Sequence, residues 1–212
     1  MNRMEKTDDR KKQAKQNLED YKERLGQAKV AIAGLGGLGS NIAFALVRSG
    51  VRNLHLVDFD RVDESNLNRQ QYRMEHIGRY KTEALKEELE EIRGDLCITT
   101  DCVKVTPDNV AELFGTEEIL CEAFDRAEQK AMLVETALSQ LPEIKLVSGC
   151  GMAGFSTGNS IRTRKISSRF YLSGDETNGV ESGLLLTAAR VSICAGHEAN
   201  MAIRLILGYD EP

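Results

Sequence analysis

Gly34, Gly36 and Gly39 lie in the stretch GLGGLGS, directly after the apolar run VAIA, and satisfy the spacing G-x-G-x-x-G. A glycine turn between a strand and a helix lets the backbone approach a phosphate and aims the helix N-terminus at its charge. Asp58 comes nineteen residues after Gly39 at the end of the run LHLVD, where an acid meets ribose hydroxyls. These residues predict a nucleotide with a free ribose, either a dinucleotide or ATP. The residues after Asp58 separate the two. A dehydrogenase needs a nicotinamide pocket and a hydride partner. This chain supplies Asn66, Arg69, Gln70 and Lys81 within 23 residues of Asp58. Cations along a triphosphate neutralise its charge, and an arginine fork holds two oxygens at once. Any one of these bases alone reads as surface charge, so the triphosphate expectation rests on their grouping.

The elements that must position these residues alternate. KVAIA reads as a short buried strand, Ser40 to Ser49 as a helix closed by Gly50, and LHLVD as a second strand. A long loop from Phe59 to Tyr80 precedes the helix KTEALKEELEEIR, whose stop is Gly94, and the strand LCITTD. Thr106 and Pro107 read as cap and first turn of the helix PDNVAELF. Then come strand EILCEAF, helix RAEQKAMLVETALSQ and strand IKLVSG. Such alternation predicts an α/β fold, a doubly wound, mostly parallel sheet with helices on both faces. Beyond Cys150, IRTRKIS and RFYLS predict a short antiparallel C-terminal extension, SGDETNGVESG a polar loop, and Thr187 to Leu207 a final buried helix. One domain is expected: residues 1–28 as a helical or solvated arm, 29–151 as the nucleotide-binding core, and 152–212 as extension, loop and last helix.

Composition narrows the class. The 212 residues are 41% hydrophobic and 29% charged, and no apolar run reaches the length of a membrane span. The charged N-terminus has no apolar core of a secretory signal, which gives a cytoplasmic expectation. Five cysteines without a C-x-x-C pair (Cys97, Cys102, Cys121, Cys150, Cys194) predict mostly buried thiols rather than disulfides or a zinc knuckle. The net charge of −5 offers no overall basic excess for nucleic acid.

In order, G-x-G-G-L-G-S, D-F-D, S-N-L-N-R-Q and G-x-x-K resemble the motifs of the ThiF/MoeB family, bacterial relatives of ubiquitin-activating enzymes. The resemblance spans about Lys29 to Gly151. It implies a Rossmann-like adenylation domain that binds ATP and Mg²⁺ and adenylates the C-terminal glycine of a ubiquitin-fold sulfur carrier. By that resemblance Gly34, Gly36, Gly37 and Gly39 form the nucleotide turn and Asp58 holds the ribose. Asn66, Arg69 and Lys81 hold the phosphates, and Asp125 carries the catalytic Mg²⁺. Asp60 and Gln70 belong to the same motifs, and Arg10 corresponds in position to an arginine that reaches in from a partner subunit of a homodimer. Many members carry two C-x-x-C pairs for a structural zinc; this chain has neither, so no zinc is expected. A short zinc-free chain with the run N-L-N-R-Q-Q-Y points toward thiamine biosynthesis and a ThiS-like carrier ending in Gly-Gly.

Adenylation needs no general base, because a terminal carboxylate with a pKa of about 3.5 is ionised at neutral pH. Its difficulty is bringing one anion onto the α-phosphorus of another, a task for cations and positioning. Other readings remain: a molybdopterin-type carrier or a tRNA as acceptor, a NAD-dependent dehydrogenase, or a scaffold that binds without turnover. Cys150, in SGCG, is either a buried residue of a tight glycine turn or a covalent acceptor; the polar loop has no cysteine. His197 and His55 read as structural, and His76 lies in a loop with no role assigned.

Overall fold

The computed structural model describes residues 16–178 and 183–212. Residues 16–27 form helix α1. The order then runs β1 (Lys29–Ala33), α2 (Gly37–Ser49), β2 (Asn53–Val57), α3 (Lys81–Glu90), β3 (Cys97–Asp101), α4 (Val110–Phe114) and β4 (Ile119–Glu122). It continues with α5 (Ala127–Gln140), β5 (Lys145–Gly149), β6 (Arg162–Lys165), β7 (Phe170–Gly174) and α6 (Ala188–Ile206). No described helix is long and apolar enough to cross a membrane.

The seven strands form one sheet in the order β3-β2-β1-β4-β5-β7-β6. The central strands β1, β2, β4 and β5 are short, apolar and mostly buried because helices cover both faces, whereas β3 and β6 at the two edges are largely exposed. Alternate residues of one strand enter different layers: Val30 and Ile32 pack with α2, α3 and α6, whereas Ala31 and Ala33 pack with α4 and α5. Ile119 and Cys121 of β4 face the first layer and Leu120 the second, repeating the pattern one strand over. Phe114 and Leu133 close the second layer, and neither is exposed to solvent. Each such side chain stabilises the fold by about 1.5–3 kcal/mol relative to leaving it in water.

The expected antiparallel extension is only partly antiparallel. β6 and β7 pair antiparallel with Arg164 opposite Leu172, but β7 pairs parallel with β5, with Val147 opposite Tyr171. Tyr171 is fully buried, so this hairpin extends the main sheet instead of lying outside it. The last helix is amphipathic. Val191, Cys194, Ala195, Glu198, Ala199 and Ala202 are buried, while Ile193 on the opposite side is exposed. Its cap is Thr187, whose hydroxyl accepts from the Arg190 amide.

Two sequence expectations need correction here. Thr106 does not cap a helix at Pro107: residues 107–109 form a turn, Asn109 Oδ1 accepts from the Thr106 amide at 2.8 Å, and the helix begins at Val110. Cys97, Cys102 and Cys150 are exposed, leaving only Cys121 and Cys194 buried. Cys97 opens the edge strand β3, whose outer side has no cover, and Cys102 comes just after its end. His76 is fully buried, its Nδ1 accepting from the Arg73 amide at 3.1 Å. His197 and His55 are held by side chains: His197 Nδ1 lies 3.1 Å from the Thr163 hydroxyl, and His55 sits between two carboxylates.

Both ring nitrogens of His55 face acids, Nε2 at 2.7 Å from Asp101 and Nδ1 at 3.2 Å from Glu117. Burial pulls its pKa down, but the bonds to Glu117 and Asp101 outweigh burial and the net shift is upward. The folded state therefore holds the His55 proton more tightly than the unfolded chain. Its stabilisation is full below about pH 6.5, the unfolded value, and is lost as pH rises through the folded pKa. In urea unfolding, His55→Gln should be less stable than the parent protein at low pH, with the gap narrowing as pH rises; a gap that widens would contradict the doubly paired imidazolium.

Candidate functional site

The chain order reverses between β1 and β4: β2 and β3 lie outward of β1 on one side, and β5, β7 and β6 lie outward of β4 on the other. In open α/β sheets ligands bind in the crevice beyond the carboxyl ends of strands at such a switch point. A cleft of about 540 Å³ lies there. Gly34 comes directly after β1, Asp58 directly after β2, Asp125 three residues beyond β4, and Cys150 directly after β5. All four line the cleft.

Gly34 has φ of +90°, and a Cβ there would meet the Ala123 carbonyl oxygen at 2.8 Å, so only glycine lets β1 turn this close to β4. A Cβ on Gly39 would overlap the Gly34 carbonyl oxygen, which explains why α2 can start so near the strand. α2 begins at Gly37, three residues before the expected Ser40. Its first turn carries no acid and its N-cap, Gly36, offers no side chain, so its amides face the cleft uncapped. Gly34, Gly36 and Gly37 line the cleft, whereas Gly39 lies behind it as a packing contact.

Asp58 is buried, and each of its oxygens takes a backbone amide: Oδ2 from Leu35 at 2.7 Å and Oδ1 from Asp60 at 2.8 Å. Burial raises its pKa, against the pull of Lys81 and the two amides. One carboxylate therefore ties the glycine turn after β1 to the loop after β2. Tyr72 adds a second tie, donating its hydroxyl to the Leu35 carbonyl at 2.8 Å. Lys81, at the start of α3, is buried with Nζ 3.1 Å from Asp60 and 4.0 Å from Asp58. Its own amide donates to the Asp60 carbonyl, so the D-F-D loop and the helix hold each other.

Between them the loop from 59 to 80 folds into two short 3₁₀ turns, Glu64–Asn66 and Met74–His76. Asn66 Oδ1 accepts from the Asp63 amide and Asp63 caps in return, which fixes Asn66 at the cleft wall. The Arg69 stem passes 3.6 Å from where a Gly37 Cβ would stand. Its guanidinium bonds the Ser65 carbonyl and Asn68 Oδ1 and has no acidic partner among the described residues. Gln70 is buried with Oε1 unpaired. Asp125 is exposed and makes no hydrogen bond or ion pair to another described residue. A bare carboxylate beside a phosphate-sized site is the hard oxygen donor that Mg²⁺ prefers. Arg10 lies outside the described residues.

The structure thus brings Gly34, Gly36, Gly37, Asp58, Asp60, Asn66, Arg69, Gln70, Lys81 and Asp125 to one cleft. It also adds residues that sequence reasoning missed. Arg61 stacks on the Tyr80 ring at 3.7 Å, and Lys104, Arg126 and Lys130 complete the basic lining. Six basic and four acidic side chains line the cleft of a chain whose net charge is −5, so positive charge is concentrated where the glycine turn opens. Glu122 and Arg190 had a readable signal: each is a charge inside an apolar element, and such a charge needs a partner. Arg190 is buried, bonding the carbonyls of Met152, Ser156 and Thr157 and pairing with Asp175 at 2.5 Å, and so ties the segment after β5 to the sheet. Cys150 corrects the buried reading of the SGCG turn, since it is exposed in the cleft.

A family model described as "ThiF family" matches residues 10–212. The chain is 33% identical over 132 residues to the adenylyltransferase and sulfurtransferase UBA4 of Candida glabrata, covering 62% of this chain and 30% of that protein. It is 33% identical over 132 residues to the tRNA threonylcarbamoyladenosine dehydratase of Escherichia coli K12, covering 61% of this chain and 48% of the relative. The chain spans less than half the length of both. The crystal structure of that dehydratase from E. coli in complex with ATP superposes with a TM-score of 0.81 at 22% identity, covering 89% of each chain. With the family model matched across nearly its whole length, the chain belongs to the ThiF family.

Proposed function

We propose that the protein is an ATP-dependent adenylyltransferase that activates the terminal glycine carboxylate of a ubiquitin-fold sulfur carrier. The observation that carries this reading is the concentration of positive charge around an uncapped helix N-terminus at the switch point. The helix N-terminus serves either kind of nucleotide; the grouped cations are what a triphosphate needs beyond the pyrophosphate of a dinucleotide. Asp58 holds the ribose through the lone pairs its two backbone amides leave, with Asp60 beside it. The amides of the glycine turn, with Asn66, Gln70, Arg69 and Lys81, hold the phosphates. The carrier's carboxylate oxygen attacks the α-phosphorus, the bond to the bridging oxygen of the β-phosphate breaks, and pyrophosphate leaves with that electron pair. Arg69 and Lys81 screen the two anions from each other, and Asp125 would hold a Mg²⁺ that, when bound, would further neutralise the phosphate charge. Holding both reactants in line contributes on the order of 7–11 kcal/mol.

The acceptor side of the cleft favours a protein tail over RNA. Met152, Ala153, Leu186 and Val191 line it, and Phe155, Leu184, Leu185 and Ile193 lie exposed alongside. The Gly154 amide donates to the Leu185 carbonyl, which brings the two segments together as one apolar rim. Among carriers, a ThiS-like protein of thiamine biosynthesis is the assignment the sequence resemblance supports. The relatives named as sulfurtransferase and as tRNA dehydratase keep a molybdopterin-type carrier and a tRNA as the competing acceptors.

Radiolabelled pyrophosphate should exchange into ATP only when Mg²⁺ and a carrier with an intact Gly-Gly tail are both present. Lys81→Ala should abolish that exchange while the protein still folds, with a lowered melting temperature because the buried Asp58 carboxylate loses its nearby cation. Exchange with tRNA but not with carrier would transfer the reading to the other acceptor. The proposed homodimer, with Arg10 acting across it, makes a separate prediction: Arg10→Ala and Lys81→Ala proteins, each inactive alone, should regain exchange when mixed and allowed to re-associate. Mixtures as inactive as the separate variants would contradict an arginine supplied in trans.

A further inference from the structure

Glu122 ends β4 and is fully buried, and neither the nucleotide motifs nor the proposed chemistry uses it. Its carboxylate grips three different elements. Oε1 accepts from the Phe124 amide at 2.7 Å, Oε2 accepts from the Ser148 hydroxyl at 2.5 Å, and Lys130 Nζ lies 3.3 and 3.0 Å from the two oxygens. Phe124 immediately precedes Asp125, and Lys130 lies in the opening turn of α5 just beyond it. The clamp therefore holds the Asp125 turn from both sides. Ser148 adds the third arm, since it directly precedes Gly149 and Cys150 on the opposite wall of the cleft.

The neighbourhood makes the clamp stiff. Glu198 of α6 is fully buried against it, and a Cβ on Gly149 would overlap its Oε1. Burial pushes the Glu198 pKa up, against the pull of Lys130, and the hydrogen bonds of Lys130 go to Glu122. Asp125 itself has no partner among the described residues to fix it. Its place relative to the glycine turn is set by the backbone that carries it, and Glu122 holds that backbone.

We propose that Glu122 is a positioning residue for the metal site, setting through Phe124, Lys130 and Ser148 where the Asp125 carboxylate stands. The inference rests on the reading of Asp125 as the Mg²⁺ residue. A merely structural ion pair would affect folding and nucleotide binding together, whereas a positioning role acts on the metal.

The test uses the full chain saturated with the α,β-methylene analogue of ATP, into which Mn²⁺ is titrated with free ion monitored by electron paramagnetic resonance. Nucleotide affinity is measured separately in EDTA. Asp125→Ala should weaken Mn²⁺ binding strongly. Glu122→Gln should weaken it by about tenfold or more, the order seen when groups that orient a metal ligand are removed, and leave metal-free nucleotide affinity unchanged. Wild-type Mn²⁺ affinity in Glu122→Gln, with Asp125→Ala impaired, overturns the positioning role and leaves Asp125 as the metal residue. Equal loss of metal-free nucleotide binding in Glu122→Gln also overturns it, in favour of a structural pair. Unchanged Mn²⁺ affinity in Asp125→Ala overturns the metal reading itself. Should Glu122→Gln not fold, Ser148→Ala decides: it removes one arm and keeps the ion pair, and it should weaken Mn²⁺ in the same direction by a smaller factor, no change being the contrary result.

Discussion

A single buried carboxylate, that of Asp58, joins the two segments without which there is no cleft. The turn after β1 and the loop after β2 leave adjacent strands and diverge, and nothing in a parallel ladder continues to pair them past the strand ends. Asp58 continues that pairing by taking the Leu35 amide on one oxygen and the Asp60 amide on the other. Burying a charge this way is costly unless it is fully bonded, and here two amides and the nearby Lys81 ammonium bond and balance it. Lys81 then fixes where α3 begins, and Tyr72 ties the intervening loop back to the turn. Removal of this carboxylate would leave two amides without their acceptor and the buried Lys81 with Asp60 alone.

The far side of the cleft repeats the device. Glu122 does for β4 and β5 what Asp58 does for β1 and β2: it extends cross-strand order past the strand ends through side-chain bonds. Arg190 holds the segment after β5 from a third direction. Buried ion pairs of this kind are weak contributors to net stability but expensive to break, at about 3–5 kcal/mol when one partner is lost. Their concentration around one crevice agrees with a fold that gives up apolar packing in order to fix loop geometry.

Much of this was readable in the residues, for reasons that differ by element. The glycine turn, Asp58 and the run from Asn66 to Lys81 are local patterns whose spacing carries the geometry, and they do meet in one cleft. The alternation of apolar runs points to the parallel sheet and its two helix layers because the central strands must be covered on both faces. What the pattern could not carry was long-range. β7 reads like β6 as a short mixed strand, and only the burial of Tyr171 against β5 makes it parallel. The exposure of Cys97 depends on β3 being an edge, which is a property of sheet order, not of its own sequence. Glu122 and Lys130 are eight residues apart across a strand-to-helix turn, so their pairing required knowing how that turn folds. At Thr106 the Asn109 side chain accepts from the backbone amide, a contact three residues on that the cap pattern of Thr106 and Pro107 did not carry.

The central claim is that the cleft at the switch point is a triphosphate site, and calorimetric titration of the purified protein with ATP and with NAD tests it most directly. ATP should bind saturably with Mg²⁺ present, bind more weakly in Arg69→Ala, and be undisturbed by NAD. Tight NAD binding that excludes ATP would contradict the account, because the same glycine turn and the same Asp58 would then be serving a dinucleotide.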